Sequence, residues 1–492
     1  MYKQNFSYRV SASADSGSQK IFYIIVFASV LMAMLFGLFA VTANPIIISL
    51  AIALIVGSIL LARPAWIVWM ILFFGLLVVG ILPLHLDFIA TRAAWGVSLL
   101  GFFLMFIVFF GSATSPNRVK DTPAFIWIAL GFLVFALLNS FIQWHSASEF
   151  LGGFKRYFQV WGLLFALCWL AFDEQDIHRL RIFILIAALL QLPFAFYELI
   201  VFVPLLKSTW GVASVDVVAG TFGASMDGGG ASGEMALFLI IVLAFLLARR
   251  MERALSLSRL ILLVPILLVP LFLGETKVVV VMLPLMFLIL YRREMFARLH
   301  YWLMGFIMIT LLTAAMGYTY LSLSHRPLHE EIEAVLSYNM HERGYASNYL
   351  NRTTVLTFWA EKQGIDDPVS FIFGNGLGSS HSATLGHVTK SYPGYGIGLT
   401  AASTLLWDMG VFGSGLFVAI LVFAWRSADR LHRESTIPTV RADAAAIQSA
   451  LALFAFYVFY RAGILDIMSI QIVFSMLLGY LAWLYRKHVL LQ

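Results

Sequence analysis

Charged residues and cysteines are scarce in this chain. Only 12% of its 492 residues are charged and 61% are hydrophobic, with a mean hydropathy of +0.90. So little charge excludes a water-soluble fold, because uncharged apolar runs of about eighteen residues or more are typical of transmembrane helices. The one cysteine, Cys168, lies in such a run, which excludes an internal disulfide. We therefore predict an all-α, polytopic membrane protein.

The apolar runs predict about fourteen membrane spans. The first follows a polar segment and is too long for the core of a signal peptide, so we expect it to be retained. The spans are predicted near 21–41, 45–62, 65–82, 95–113, 123–142, 156–172, 181–206, 233–249, 258–273, 276–291, 301–323, 400–425, 446–463 and 466–486.

Lysine and arginine concentrate in alternate short loops, which predicts that those loops and both termini are cytoplasmic. Arg249 and Arg250 follow one span, for example, and Arg426 and Arg430 follow another. The net charge of +6 is explained by this topology, so it gives no reason to expect a nucleic-acid partner. The predicted parts are a cytoplasmic tail (1–20), a helical bundle (21–323), a large loop on the opposite side with amphipathic helices (324–398), further spans (399–486) and a cytoplasmic tail (487–492).

The loop 324–398 is mostly polar and carries Arg352, His381, His387 and the glycine-rich stretch 374–378. Loops of this length are uncommon in compact proteins unless they are functional. The alternative is a connector that happens to be long. The glycines Gly374, Gly376 and Gly378 would let a bulky ligand approach the backbone. We therefore expect the chemistry of the protein to lie in this loop.

One helix is predicted within the loop. Asn351 is a suitable N-cap residue, and Gly364 is a suitable end for a helix that runs to Gln363. Arg352 and Trp359 then fall on roughly one face, because they are seven residues apart. An amphipathic helix of this kind would carry Arg352 at headgroup level, facing the bundle.

Three further patches are candidates for binding. Lys155 and Arg156 precede a span, where paired cations hold a phosphate or simply snorkel to the interface. Gly220 and Asp227 belong to a glycine-rich segment before another span, which indicates either an anion site at a helix N-terminus or a flexible turn. Lys277 lies between two spans, where a charge is costly enough to indicate a role unless the adjacent carboxylate neutralises it.

Four motifs together resemble those of a known family. They are Gly220–Gly223, Arg352 followed by Phe358 and Trp359, the stretch 372–378 (Ile-Phe-Gly-Asn-Gly-Leu-Gly), and the stretch 406–413 (Leu-Trp-Asp-Met-Gly-Val-Phe-Gly). The chain resembles the O-antigen polymerase and O-antigen ligase superfamily of bacterial envelope glycosyltransferases over roughly residues 150 to 425. Polysaccharide polymerases of the Wzy type are the most similar members.

The resemblance implies a helical, GT-C-like glycosyltransferase of the bacterial inner membrane that needs no metal and no cofactor. Such an enzyme takes a glycan linked to undecaprenyl diphosphate and transfers it to the hydroxyl of an acceptor repeat unit at the periplasmic face. A flippase and a chain-length regulator are the partners implied. The polysaccharide is O-antigen, capsule or exopolysaccharide.

The sequence departs from the family pattern at two places. The ligases carry a histidine about eleven residues before the glycine that corresponds to Gly410, where this chain has Leu399. Many members also have a Ser-Arg pair where this chain has Thr276 and Lys277. The first departure argues for a polymerase over a ligase. The second retains a cation but loses the bidentate geometry of arginine.

A sugar on a lipid diphosphate is already activated, so its transfer needs cations that stabilise charge on the departing diphosphate. Arg352 is the first candidate, and Lys277 and the Lys155–Arg156 pair are helpers. A base would assist the acceptor hydroxyl, and His381 or His387 has a suitable unperturbed pKa. Asp227 is a further candidate base, and a solvated histidine without a catalytic role is the alternative.

Two other functions remain open. A flippase or transporter of lipid-linked sugars would suit a protein with many spans, but transporters place ionisable groups inside the bundle, and these spans contain few. A peptidoglycan glycan-chain polymerase also has helices and an outer loop, although it fits the loop motifs less well. For metals, His325, His329 and Glu330 have the nearest ligand spacing, but a solvated helix face explains them equally.

Overall fold

The structure is a computed structural model. It describes residues 60–210, 217–226, 230–274, 276–297, 350–364, 367–384 and 386–488, with isolated positions at 30, 34, 57, 303, 305–307, 310, 314, 329 and 333. The chain divides into two compact units, Met1–Ile67 and Val68–Gln492. Few positions of the first unit are described. The helices lie in the second unit, except that the first of them begins at the end of the first unit.

The described residues form an all-α protein. The labelled helices in chain order are α1 (Pro64–Phe73), α2 (Asp87–Thr114), α3 (Ala124–Ile142), α4 (Ala147–Phe158), α5 (Gly162–Trp169), α6 (Glu174–Trp210), α7 (Ser232–Met251), α8 (Leu257–Leu273), α9 (Val279–Leu290), α10 (Thr354–Gln363), α11 (Pro368–Phe373), α12 (His387–Ser391), α13 (Ala401–Glu434), α14 (Pro438–Tyr460) and α15 (Met468–His488). Short helical segments cover Phe74–Val78, Leu82–His85, Pro116–Arg118, Gly220–Phe222, Arg292–Ala297, Ser382–Thr384 and Gly463–Asp466.

Seven helices in the described part of the chain are long and apolar enough to cross a membrane. They are α2, α3, α6, α7, α13, α14 and α15. The 28 residues of α2 alone extend about 42 Å at 1.5 Å per residue, more than the hydrocarbon core of a bilayer. These helices give the chain the composition and architecture of a multi-pass membrane protein.

Several predicted spans coincide with helices. The predictions near 123–142, 233–249 and 258–273 differ from α3, α7 and α8 by two residues or fewer at each end. The predicted spans 181–206 and 400–425 were too short, because polar residues extend the helices beyond the apolar runs. Helix α6 begins at Glu174, and α13 continues to Glu434. The predicted spans near 21–41, 45–62 and 301–323, and the loop before residue 350, fall almost wholly outside the described residues.

The predicted span 156–172 does not form one helix. Helix α4 ends at Phe158, a turn follows, and α5 begins at Gly162. The turn carries buried Gln159, whose amide nitrogen donates to Oε1 of Gln471 at 2.6 Å. A Cβ on Gly162 would lie 2.3 Å from the carbonyl oxygen of Gly101. Close packing against α2 and a buried polar network therefore interrupt the predicted span 156–172. A hydropathy pattern predicts neither of these interactions.

The two ends of the helix bundle differ in chemistry. At one end, here called the loop end, α3 stops at Ile142 and α14 stops at Tyr460, and segments from 350–398 attach there through bonds such as Leu377 N to Ser140 Oγ at 2.9 Å. At the opposite end, here called the arginine end, Arg249 at the end of α7 binds Asp443 near the start of α14. The described residues thus separate a glycine- and histidine-rich end from an arginine-rich one.

Candidate functional site

Helix α13 is broken near the loop end. Gly410 has φ 63° and ψ −168°, which only glycine adopts readily. The break frees the carbonyls of Trp407 and Asp408, which accept hydrogen bonds from the backbone N–H groups of Asn375 and Gly376, both at 2.9 Å. Irregular backbone that is buried between helices is stable only when its N–H and C=O groups find hydrogen-bond partners. The glycine-rich stretch 374–378 supplies those partners.

The carboxylate of Asp408 is fully buried and lies at the centre of this arrangement. Ser380 N and Ser379 Oγ donate to its Oδ1, each at 2.8 Å, while Tyr157 Oη and Gly378 N donate to Oδ2 at 3.1 and 3.3 Å. Four hydrogen-bond donors of the protein therefore surround the Asp408 carboxylate. In the sequence, Asp408 is recognisable only as part of the motif 406–413, and no role was predicted for it.

The three glycines of the stretch have packing partners within the protein. A Cβ on Gly374 would lie 2.4 Å from Met409 N, and one on Gly378 would lie 2.4 Å from the Glu149 carbonyl. For Gly376 the nearest atom would be Gln143 Cβ at 3.4 Å. The backbone approach that the sequence predicted is thus made by the protein's own chain at two of these positions. A role of these glycines in binding substrate stays a prediction.

Gly220 also has its backbone occupied. Its N–H donates to Oε2 of Glu198 at 2.7 Å, and the N–H of Ala219 donates to the same oxygen at 2.8 Å. Among the described residues these amides are thus occupied by the carboxyl group of Glu198, which is itself buried, and a role of Gly220 in binding substrate stays a prediction. Asp227, the other residue of this patch, lies outside the described residues.

Arg156 and Lys155 contact different residues in the structure. Arg156 is only 6% exposed and forms a bidentate ion pair with Asp466, in which Nη2 donates to Oδ2 at 2.9 Å. Its Nη1 has no hydrogen-bond partner among the described residues. Lys155 places Nζ 4.4 Å from the centre of the Trp95 ring, and burial lowers its pKa. Arg156 therefore neutralises a carboxylate, and its role as a phosphate ligand stays a prediction.

The predicted loop helix is present as α10. Asn351 caps it as expected, because Oδ1 accepts hydrogen bonds from the N–H groups of Thr353 and Thr354 at 3.1 and 2.8 Å. The helix ends at Gly364, which has φ 30°. Trp359 is buried and stacks on Phe371, with ring centres 5.1 Å apart. This packing fixes the middle of α10 against α11.

Arg352 is half-buried in the turn that precedes α10. Its Nε donates to the carbonyl oxygen of Tyr460 at 2.6 Å, and its guanidinium carbon lies 4.1 Å from the centre of the Tyr460 ring. Both contacts fix the guanidinium at the C-terminal end of α14. The predicted cation is therefore tied to the loop end of the bundle, but from the turn before α10 and not from a position within the helix as the sequence predicted.

His387 has a carboxylate partner that the sequence did not reveal. Its Nδ1 lies 2.8 Å from Oε1 of Glu149, and its backbone N–H donates to Oε2 at 3.1 Å. The ring of His387 stacks on that of His145, with centres 3.7 Å apart. Glu149 is only 7% exposed and lies on α4. A carboxylate at Nδ1 fixes the orientation of an imidazole and favours an Nε2 that accepts a proton.

His381 lies in a different environment. It is half-buried, and burial lowers its pKa, with the positive charge of Arg156 as the second cause. The imidazole therefore stays neutral to lower pH than an ordinary histidine. A neutral imidazole satisfies one requirement of a base.

Lys277 is exposed in the turn between α8 and α9, and Glu275 lies outside the described residues. The ion pair of Arg461 with Glu234 was not predicted from the sequence. Arg461 Nη1 donates to the Gly230 carbonyl at 2.8 Å and lies 3.3 Å from Oε2 of Glu234, a fully buried carboxylate. Arg461 was overlooked because it falls inside a predicted span.

The described residues contain no group of three or more His, Cys, Asp or Glu that could hold a metal ion.

Comparison of the chain with protein-family models and with curated proteins found no match.

Proposed function

We propose that the protein is a polysaccharide polymerase that transfers a glycan from undecaprenyl diphosphate to the hydroxyl of an acceptor repeat unit. The observation that carries the proposal is the position of Arg352 and His387 at the loop end, each attached to the bundle by a short hydrogen bond. They are thirty-five residues apart in sequence. The resemblance to the O-antigen polymerase and ligase superfamily supplies the substrate class.

Each residue has a defined part in this reaction. The acceptor hydroxyl attacks the anomeric carbon of the donor and gives its proton to Nε2 of His387, which Glu149 holds in position. The bond from the anomeric carbon to the diphosphate oxygen breaks, and the lipid diphosphate leaves with the electron pair. Arg352 stabilises the negative charge that develops there, because a fixed guanidinium binds phosphate oxygens in bidentate fashion.

The number of spans, their orientation in the membrane and the partner proteins are part of the same proposal. It includes about fourteen spans in a bacterial inner membrane, both termini in the cytoplasm, the loop end at the periplasmic face, and a flippase and chain-length regulator as partners. An O-antigen ligase is the nearest alternative, and Leu399 in place of the ligase histidine argues against it.

A transporter of lipid-linked sugars is the second candidate, and one observation favours it. Transporters often contain discontinuous transmembrane helices whose broken ends line the binding site. Helix α13 has such a break at Gly410. Here, however, the freed carbonyls are occupied by the glycine-rich stretch, which argues for a structural role of the break.

Purified protein tests the proposal directly. In lipid nanodiscs it should extend lipid-linked repeat units into longer chains, and excess chelator should leave the rate unchanged. The reason is that a lipid diphosphate is an activated leaving group that protein cations can stabilise. Heat-inactivated protein is the control. No extension would reject a polymerase, and activity that vanishes with chelator and returns with magnesium would reject the metal-independent mechanism.

The proposed orientation is tested with introduced cysteines. In a Cys168→Ala background, Ser391→Cys should react with a membrane-impermeant thiol reagent in intact cells, whereas Thr436→Cys should react only after the cells are opened. Ser391 and Thr436 are exposed, whereas the neighbouring Ser435 is 6% exposed and would resist labelling on either side. Labelling of Thr436→Cys alone in intact cells would place the loop end in the cytoplasm.

The two histidines make different predictions. His387→Gln should lower the rate of chain growth about a hundredfold, as expected for loss of a positioned base, and His381→Gln should lower it much less. The measurement is kcat/KM against pH. Because burial lowers the pKa of His381, an acid limb well below the ordinary histidine value of about 6.5 that disappears in His381→Gln would assign the base to His381 instead.

A further inference from the structure

A cleft of about 150 Å³ opens between α6, α7 and α15 at the arginine end, away from Arg352 and His387. Its walls are aliphatic and aromatic, with Leu185, Ile241, Phe245 and Met476 among them. Arg181, Arg249 and His178 line it as well. An apolar channel that contains cations is the chemistry that accepts a hydrocarbon chain with an anionic head.

Positive charge exceeds negative charge among the polar groups at this cleft. Asp443 is buried, and its one carboxylate faces two guanidiniums. Arg249 binds it through two hydrogen bonds, from Nε and Nη2 at 2.8 and 2.9 Å, and Tyr480 Oη donates to it at 2.5 Å. Arg249 and Tyr480 alone therefore satisfy the carboxylate.

Arg181 is the cation in excess. It contacts Asp443 through Nη1 at 3.4 Å, a longer distance than either Arg249 bond, and its side chain is 31% exposed. A guanidinium that is weakly engaged and accessible retains donors for an anion. Its position at a cleft with apolar walls makes a phosphate carrying acyl chains a better match than a free ion.

We propose that this cleft binds an anionic glycerophospholipid, with one acyl chain against Leu185, Ile241 and Met476 and the phosphate on Arg181. The site is separate from the loop end, and the proposal does not depend on glycosyl transfer. Basic residues at a bilayer surface attract anionic lipid at about 1 kcal/mol each, which is a factor of about five in affinity.

The test is a titration of the purified full-length chain with phosphatidylglycerol, followed by native mass spectrometry. Arg181→Gln should bind it about fivefold more weakly, as expected for loss of one cation, while Asp443 keeps its bonds to Arg249. The matched control is Arg179→Gln, which removes a more exposed arginine that pairs with Asp176 and does not line the cleft. Equal binding by Arg181→Gln and wild type would overturn the proposal.

The apolar part is tested by filling the cleft. Leu185→Trp should displace the lipid, whereas Ile186→Trp, at a position 48% exposed that does not line the cleft, should not. Phosphatidylcholine and diacylglycerol should bind less tightly than phosphatidylglycerol, and inorganic phosphate should not compete. Competition by phosphate, or equal binding of the three lipids, would overturn the proposal. So would a dimer of the wild type that Leu185→Trp dissociates, because the cleft would then bind a second copy.

Discussion

Cells whose only copy carries Arg352→Ala are expected to make no long polymer and to accumulate single lipid-linked repeat units on the outer face of the membrane. The loss of one donor aimed at developing charge costs about a hundredfold to a thousandfold in rate. The protein itself should insert and accumulate normally, because Arg352 is half-buried in a turn outside the long helices and contacts the carbonyl and ring of Tyr460 at the end of α14. Polymer length on a gel and the sidedness of the lipid-linked units are the measurements.

Two further variants define what Arg352 does. Arg352→Lys should retain slight activity, because a point charge keeps part of the electrostatic attraction but loses the bidentate hydrogen bonds. Lys362→Ala is the matched control, since Lys362 is an exposed cation on the adjoining helix α10. Wild-type polymer in Arg352→Ala would reject Arg352 as a site residue, and an equal loss in Lys362→Ala would indicate a general effect of loop charge.

The location of the stranded units separates the two leading functions. A polymerase acts after the lipid-linked unit has crossed the membrane, so its inactive variant leaves units on the outer face. A transporter moves the unit across, so its inactive variant leaves units on the inner face. Units on the inner face in the Arg352→Ala strain would therefore favour the transporter and withdraw the polymerase.

Local sequence signals predicted the loop helix well. Asn351 caps α10 and Gly364 ends it, because capping depends on backbone groups within a few residues of the cap. Hydropathy likewise located α3, α7 and α8, since long apolar runs are their own signal. These features are encoded within about twenty residues of sequence.

Long-range partners were not predictable in this way. The turn at 159–161 depends on Gln471 in α15, and the backbone of Gly220 is occupied by Glu198 in α6. Glu149 was not identified as the partner of His387, because the two residues are 238 positions apart. A sequence shows which side chains can accept a proton or a hydrogen bond, but the fold decides which of them meet.

The break in α13 is the clearest example of the same limit. The run 400–425 is apolar enough to predict one uninterrupted span, and Gly410 alone does not reveal a break, because glycine is frequent in transmembrane helices. The break becomes stable only through the stretch 374–378, which binds the carbonyls that it frees. The break at Gly410 and the glycine-rich stretch with Gly374 and Gly378 thus depend on each other for close packing.

Asp408→Ala is expected to destabilise the protein by about 4 kcal/mol or more. Each hydrogen bond to a charged group contributes about 1.5–3 kcal/mol, and each buried donor left without a partner costs about 1–3 kcal/mol. Asp408 accepts four such bonds in a fully buried position, two of them from the backbone of Gly378 and Ser380. Its loss would release the glycine-rich stretch from α13 and lower both the melting temperature in detergent and the amount of protein in the membrane.

Graded variants test this structural role. Tyr157→Phe removes one of the four donors to Asp408 and should cost only about 1–2 kcal/mol, while Glu361→Ala removes an exposed carboxylate and should leave the melting temperature unchanged. Asp408→Asn should fall between Asp408→Ala and wild type, because an amide retains one acceptor oxygen but presents an NH₂ group to donors. If Asp408→Ala melted like wild type yet made no polymer, Asp408 would be a reacting group, and the carboxylate that holds the loop in place would have to be sought elsewhere.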